Sequence, residues 1–403
     1  MDTTTPNDDA LEVRVVPRSS ERELSVEVDP YPGELDGRLD GLRVAIVHDY
    51  LTQRGGAERV VLALMEAFPG ARLITSVYDA AGTYPEFTRY RVETTWLDTV
   101  PGFRSDPRRA LALLPFAFGT RALRDVDLVI CSSSGWAHGV RTEAPKLVYC
   151  HNPPRWLYQR GEYLQEHGKI ARMGLRVLFP ALRWWDRRAA GSATAYLANS
   201  RAVADRISTQ YGREADVIHP PVVIHPDQER TPVRGLEPGF LLTISRPRAY
   251  KHVHEVCDAL RLLPDERLVV VGPLDSHEVS SDRVVNLTNV SDAELRWLYA
   301  NCSGVVSASY EDFGLTPVEG FAFGKPALCL RAGGFLDTME EGVTGLFFDE
   351  LSPEHVATAV RALRAATFDP KRIKAHGGAF ETSAFQQRVL EASHGAVNRL
   401  AAG

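Results

Sequence analysis

Several things are missing from this sequence, and each absence narrows what the protein can be. No stretch of about 18 uncharged apolar residues occurs, so a membrane-spanning helix is excluded and any contact with a bilayer must be peripheral. There is no basic surplus. The formal net charge of -6 argues against a general binder of nucleic acid, whose phosphates demand the opposite sign. Cysteine is sparse: Cys131, Cys150, Cys257, Cys302 and Cys329 are odd in number, widely separated and never spaced Cys-x-x-Cys, which suits a reducing cytoplasm. Residues 1–40 are polar, acidic and proline-containing and hold no apolar secretion-signal core, so no signal peptide is expected. Repeats of solenoid period and low-complexity tracts are absent as well.

What remains is ordinary globular composition, 44% hydrophobic and 24% charged, in a chain of 403 residues that exceeds the size at which one core usually keeps growing. Two α/β domains are therefore expected. Leu42–Val47 reads as a strand, Arg54-Gly55-Gly56-Ala57-Glu58 as a glycine loop, and Val60, Val61, Leu64 and Phe68 mark the following helix. Strands at Leu73–Val77, Leu128–Cys131 and Lys146–Cys150 continue a βαβ series. A second series holds strands at Phe240–Ile244, Leu268–Val271, Gly304–Ser307 and Pro326–Leu330, whose continuous apolar runs suit a parallel sheet covered on both faces. The fold class expected is α/β, with two Rossmann-like, doubly wound domains facing across a cleft. Their bounds are read as an N-terminal extension at 1–40, a first domain at 41–222, a linker at 223–239, a second domain at 240–385 and a C-terminal helix at 386–403 that crosses back to the first domain.

In doubly wound domains ligands collect beyond the C-terminal ends of the strands, where helix N-termini offer unpaired N–H groups to phosphates. The polar clusters of this sequence fall at those ends. Gly55 and Gly56 follow the first strand, where missing side chains let backbone amides approach a phosphate, although such a pair serves equally as a structural turn. His48 and Asp49 end that strand. His151 opens His151-Asn152-Pro153-Pro154-Arg155-Trp156 and can donate a hydrogen bond to a sugar hydroxyl or a phosphate; its alternative task is to tie down a proline-rich loop. Arg246 and Lys251 lie in the loop after the second domain's first strand, where two cations can hold a diphosphate and stabilise the charge that grows as it leaves. The sharpest feature is the loop Tyr310–Gly320, bracketed by Glu311 and Glu319. Amides around Phe313, Gly314, Leu315 and Thr316 occupy a helix start, and a carboxylate inside that helix can accept from a ribose. A glycine-rich partner loop, Arg331-Ala332-Gly333-Gly334-Phe335, accompanies it.

These residues resemble glycosyltransferase family 4, whose second domain carries a Glu-x7-Glu motif matched by Glu311 and Glu319. His-Asp-Tyr and Gly-Gly-Ala-Glu within 48–58, Cys-His-Asn-Pro-Pro-Arg at 150–155, Ala-Asn-Ser-Arg at 198–201, Arg246 with Lys251, and Gly-Val-Thr-Gly-Leu-Phe-Phe at 342–348 extend the likeness. The wording is closest to the branch of bacterial O-antigen mannosyltransferases. The resemblance implies a GT-B fold, no cofactor, no essential metal, and transfer with retention of anomeric configuration. By it Arg246 and Lys251 bind the donor diphosphate, Glu311 the donor-sugar hydroxyls, Glu319 the ribose, His151 the donor sugar and Gly55-Gly56 the donor phosphate or the acceptor, with Arg155 and Asp49 on the acceptor side. The sequence departs from the pattern at Asp337, where many relatives carry Glu, and varies locally at Phe313 and Thr316.

The activity expected is transfer of a hexose from a nucleotide sugar to a hydroxyl acceptor such as a lipid-linked glycan or a natural product. GDP-mannose is the preferred donor and UDP-sugars come next. The competing readings are a nucleotide-sugar epimerase, which needs no acceptor, and a non-catalytic nucleotide-sugar binder. Residues 104–123 mix Arg108, Arg109 and Arg121 with Leu111, Leu113, Leu114, Phe116 and Phe118, and Arg183-Trp184-Trp185 adds aromatics. Core packing or peripheral attachment at the inner face of the membrane accounts for them, and a cytoplasmic location fits both.

Overall fold

A computed structural model describes residues 41–110, 113–158, 169–245, 252–274 and 282–401. The first part of the chain builds a seven-stranded parallel sheet from β1 (Val44–His48), β2 (Arg72–Thr75), β3 (Val92–Thr94), β4 (Leu128–Ser133), β5 (Lys146–Cys150), β6 (Ala195–Ala198) and β7 (Ala215–Val217). The strands run in the order β3-β2-β1-β4-β5-β6-β7, so the winding reverses between β1 and β4. Every residue of β1, β4 and β5 is buried, as a strand covered on both faces requires. Such reversal points open a crevice at the strands' carboxyl ends.

The second part repeats the plan in six parallel strands: β8 (Leu241–Ile244), β9 (Leu268–Val271), β10 (Val284–Leu287), β11 (Gly304–Ser307), β12 (Ala327–Leu330) and β13 (Gly345–Phe348). Their order is β10-β9-β8-β11-β12-β13, with the reversal between β8 and β11. Alternate residues feed two cores. Leu241, Val270, Val306 and Leu328 enter one, and Leu242, Val269, Val305, Ala327 and Cys329 the other. The two Rossmann-like domains expected from the sequence are the observed architecture.

Five helices position the site: α1 (Gly56–Ala67) after β1, α2 (Lys169–Gly191), α3 (Arg201–Tyr211) after β6, α4 (Leu315–Ala322) after β11, and α5 (Thr382–Ala401) at the end of the chain. Ser200 caps α3 by accepting from Val203 N–H, and Gly212 ends it in the left-handed region at φ 63°. Residues 218–240 join the domains without a helix or strand, yet Val222, Ile224, Val233 and Leu236 pack on the second core. Helix α5 returns to the first domain: Gln386 donates to Ala63 O at 3.2 Å, and the Phe385 and Tyr149 rings lie 5.5 Å apart.

All five cysteines are buried and free. No helix of the described residues is long and apolar enough to cross a membrane. Of the mixed segment near residue 113, Leu114 and Phe118 enter the core, while Phe116 is 63% exposed, as is Trp184 at 66%. Leu111 and the side chain of Arg108 lie outside the described residues.

Candidate functional site

Beyond the ends of β1, β4 and β5 the first domain gathers buried polar groups. Asp49 is 4% exposed, and its carboxylate accepts from the backbone N–H groups of Ser134, Trp136 and Ala137 and from Ser133 Oγ. The carboxylate that the sequence suggests for the acceptor holds the turn after β4 together. His151 donates its backbone N–H to Ser133 O at 2.9 Å, and its Nε2 lies 2.7 Å from Ser132 Oγ. Burial first, and then the nearby His48, hold its imidazole down from an ordinary 6.5 to about 3, so the ring is neutral. Asn199 Nδ2 donates to His151 O at 3.0 Å and fixes the strand-end loop.

Across the cleft, β11 leads through Ser309 and Glu311 into α4. Ser309 Oγ donates to Glu311 Oε1 at 2.8 Å, and Tyr299 Oη donates to Glu319 Oε2 at 2.6 Å, so both carboxylates of the motif are held in place. Gly314 caps α4 with φ 91°, and a Cβ there would lie 2.4 Å from the Phe335 ring. The partner loop needs its glycines for the same reason: a Cβ on Gly333 would meet Glu311 O at 2.3 Å, and one on Gly334 would meet Asp312 O at 2.4 Å. Phe313 is 4% exposed and packs between His219 and Phe380, with ring centroids 5.4 and 5.8 Å away. Its side chain is a strut under the loop, which leaves the backbone as its means of meeting a ligand.

The halves touch where the sequence places the donor phosphates. A Cβ on Gly56 would come within 2.9 Å of Leu315 Cδ1, so the glycine turn before α1 abuts the start of α4. Asp312, inside the Glu-x7-Glu loop, accepts from Arg155 and Arg206 of the first domain, and Arg206 Nη1 also reaches Asn152 Oδ1 at 3.0 Å. Arg155, expected at the acceptor, thus also spans the cleft. Asp337 accepts from Arg201 N–H at 2.6 Å and Arg201 Nε at 2.7 Å, capping α3 from the other domain. Sequence reasoning missed the roles of Asp312 and Arg206 and the pairing of His48 with Glu58, because partnership across a fold leaves no local pattern.

Arg246 and Lys251 lie outside the described residues. The loop that carries them leaves the end of β8, where Ser245 N–H donates to Val271 O at 2.7 Å, beside β11 at the reversal of the second sheet. Among the described residues the group of side chains that comes close enough to share a metal ion is His252, His254 and Glu255, their ligand atoms within 4.8 Å of one another.

Comparison with known proteins identifies the family and the fold. Residues 54–225 match the family model described as Glycosyltransferase Family 4, and residues 226–376 match Glycosyl transferases group 1. The chain is similar to the human Alpha-1,3/1,6-mannosyltransferase ALG2, 24% identical over 76% of this chain and 83% of that protein. The match to the ALG2 of Dictyostelium discoideum is 38% identical over 65 residues, only 16% of either chain. In fold it resembles Anabaena HepE, solved with UDP-glucose, at a TM-score of 0.63 and 18% identity over 87% of this chain and 98% of that one. The chain belongs to glycosyltransferase family 4 and has that family's two-domain GT-B fold.

Proposed function

We propose that the protein is a retaining hexosyltransferase that moves a sugar, by preference mannose from GDP-mannose, to a hydroxyl acceptor such as a lipid-linked glycan. The observation that carries this reading is the meeting of the Gly55-Gly56 turn with the start of α4, between the glutamates of the Glu-x7-Glu loop. In it the donor diphosphate rests against the amides of residues 314–316, with Arg246 and Lys251 taking up the charge that grows as it leaves. Glu311 accepts from hydroxyls of the donor sugar, Glu319 accepts from the ribose, and His151 donates to the sugar. The acceptor hydroxyl attacks from the face the diphosphate leaves, and the departing phosphate takes its proton. The reading requires no metal, since arginine, lysine and amide groups carry the charge compensation.

Mannose is supported by the activity in the ALG2 relatives' name, and UDP-sugars follow because HepE was solved with UDP-glucose. Attachment to the inner face of a membrane is supported by the exposed Phe116 and Trp184, and failure to float with anionic liposomes would remove it. The test of the main reading is thermal shift and hydrolysis with GDP-, UDP-, dTDP- and ADP-sugars without added metal, followed by the anomeric configuration of the transferred sugar. Stabilisation by GDP-mannose and a retained product are expected. An inverted product would sink the mechanism, and sugar isomerised without acceptor would point to an epimerase.

A further inference from the structure

Glu58 is 1% exposed at the start of α1, and neither of its carboxylate oxygens makes a hydrogen bond among the described residues. A buried carboxylate needs a cation, and His48, itself 3% exposed at the end of β1, brings Nε2 to 3.8 Å from Glu58 Oε1. The other nitrogen of His48 faces the carbonyl oxygen of Ser132 at 3.0 Å. A carbonyl oxygen only accepts, so Nδ1 of His48 carries a proton, and the carboxylate beside Nε2 favours the imidazolium form of the ring.

The next link follows from that charge. His48 Nδ1–H also lies 3.1 Å from Ser132 Oγ, which must accept from it, and the Ser132 hydroxyl proton is left to go to His151 Nε2 at 2.7 Å. A neutral histidine whose Nε2 accepts carries its proton on Nδ1. We propose that the Glu58–His48 ion pair, acting through Ser132, locks His151 as the neutral Nδ1–H tautomer that donates to the donor sugar. The assignment rests on the reading, above, that His151 meets that sugar. Glu58, His48 and Ser132 are positioning residues; none of them touches substrate.

Burial alone pushes the His48 imidazolium down, but Glu58 and then Asp49 outweigh it and raise the group above the ordinary histidine value. The groups facing the pair are Glu58 on α1, Asp49 next in the chain, Ser132 on β4, and His151 after β5, whose ring lies 6.4 Å from that of His48 and 5.3 Å from that of Tyr149. Once His48 loses its proton from Nδ1, Ser132 donates back to it, the relay reverses, and His151 Nε2 becomes a donor.

Ser132→Ala cuts the relay while leaving the ion pair intact. In histidine-selective 15N NMR of the full chain, native His151 is expected as the neutral Nδ1–H form from mildly acidic pH to neutrality, and Ser132→Ala should give mixed tautomers. With GDP-mannose hydrolysis as readout, kcat should fall by about tenfold to a hundredfold, the order of loss seen when a group that orients a metal-ligating histidine is removed, with KM little changed. Ser132→Thr should restore both. Glu58→Gln should move the alkaline limb of the kcat profile to lower pH. A native His151 protonated on Nε2, or a Ser132→Ala protein with unchanged tautomer, overturns the lock. If the tautomer changes in Ser132→Ala while His151→Ala hydrolyses GDP-mannose as fast as the native protein, the lock stands and the contact between His151 and the sugar is refuted.

Discussion

At Gly314 a single missing side chain decides whether the loop can reach α4. Its φ of 91° and the Phe335 ring, 2.4 Å from where a Cβ would sit, leave no room for another residue. Gly314→Ala is expected to cost about 1–3 kcal/mol, visible as a Tm lower by several degrees. An unchanged melting curve would mean that the turn relaxes freely. His151 makes stability depend on pH in a definite direction. Its folded value is depressed, so its contribution is present above the ordinary 6.5 and is lost as pH falls towards about 3. His48 is shifted the other way, and its contribution is lost only as pH rises. Urea melts between pH 4 and 7, an interval set by the ordinary histidine value of about 6.5, should therefore fall off more steeply with acid for the native protein than for His151→Gln. Burial also pushes the Cys131 thiol up to about 12, and all five cysteines are buried. A thiol reagent at neutral pH should find none of them until the protein unfolds.

Helix α3 shows how an element of one domain is finished by the other. Its first N–H is taken by Asp337 from across the cleft, while Ser200 serves a later one. Asp337→Ala should cost about 0.5–2 kcal/mol, the usual loss for a cap, and speed amide exchange at Arg201. Unchanged exchange at that amide would remove Asp337 from this role. Elements of the central sheet are plain in the sequence: Leu128–Cys131 and Leu147–Cys150 are apolar without interruption, and the strands lie there. The outer strands Val92–Thr94 and Ala215–Val217 escape such reading, because three half-exposed residues carry no period. Helix α2, broken in pattern by Pro180, escapes it too. The loop of Glu311, Gly314 and Glu319 is legible because strand, glycine and carboxylates follow one another locally. Asp312 meeting Arg155 and Arg206 is not, since those partners are 157 and 106 residues away.

For the molecule as a whole, the contacts of Asp312 and Asp337 with three arginines tie the domains face to face. Asp312→Ala leaves Arg155 and Arg206 without this carboxylate, and a larger radius of gyration by solution scattering together with weaker GDP binding is expected. No change in either would show that the tie is incidental to closure. The chain passes between the domains twice, once through residues 218–240 and once on the way to α5, and the two passages lie side by side: Val222 N–H donates to Phe380 O at 2.9 Å. His219 sits there with its ring 5.4 Å from those of Phe313 and Phe380. Bodies joined by one thread can swivel freely. Two threads joined by a hydrogen bond resist torsion more than one does, so any opening of the domains is expected to follow a single hinge arc and to return the same two surfaces to register.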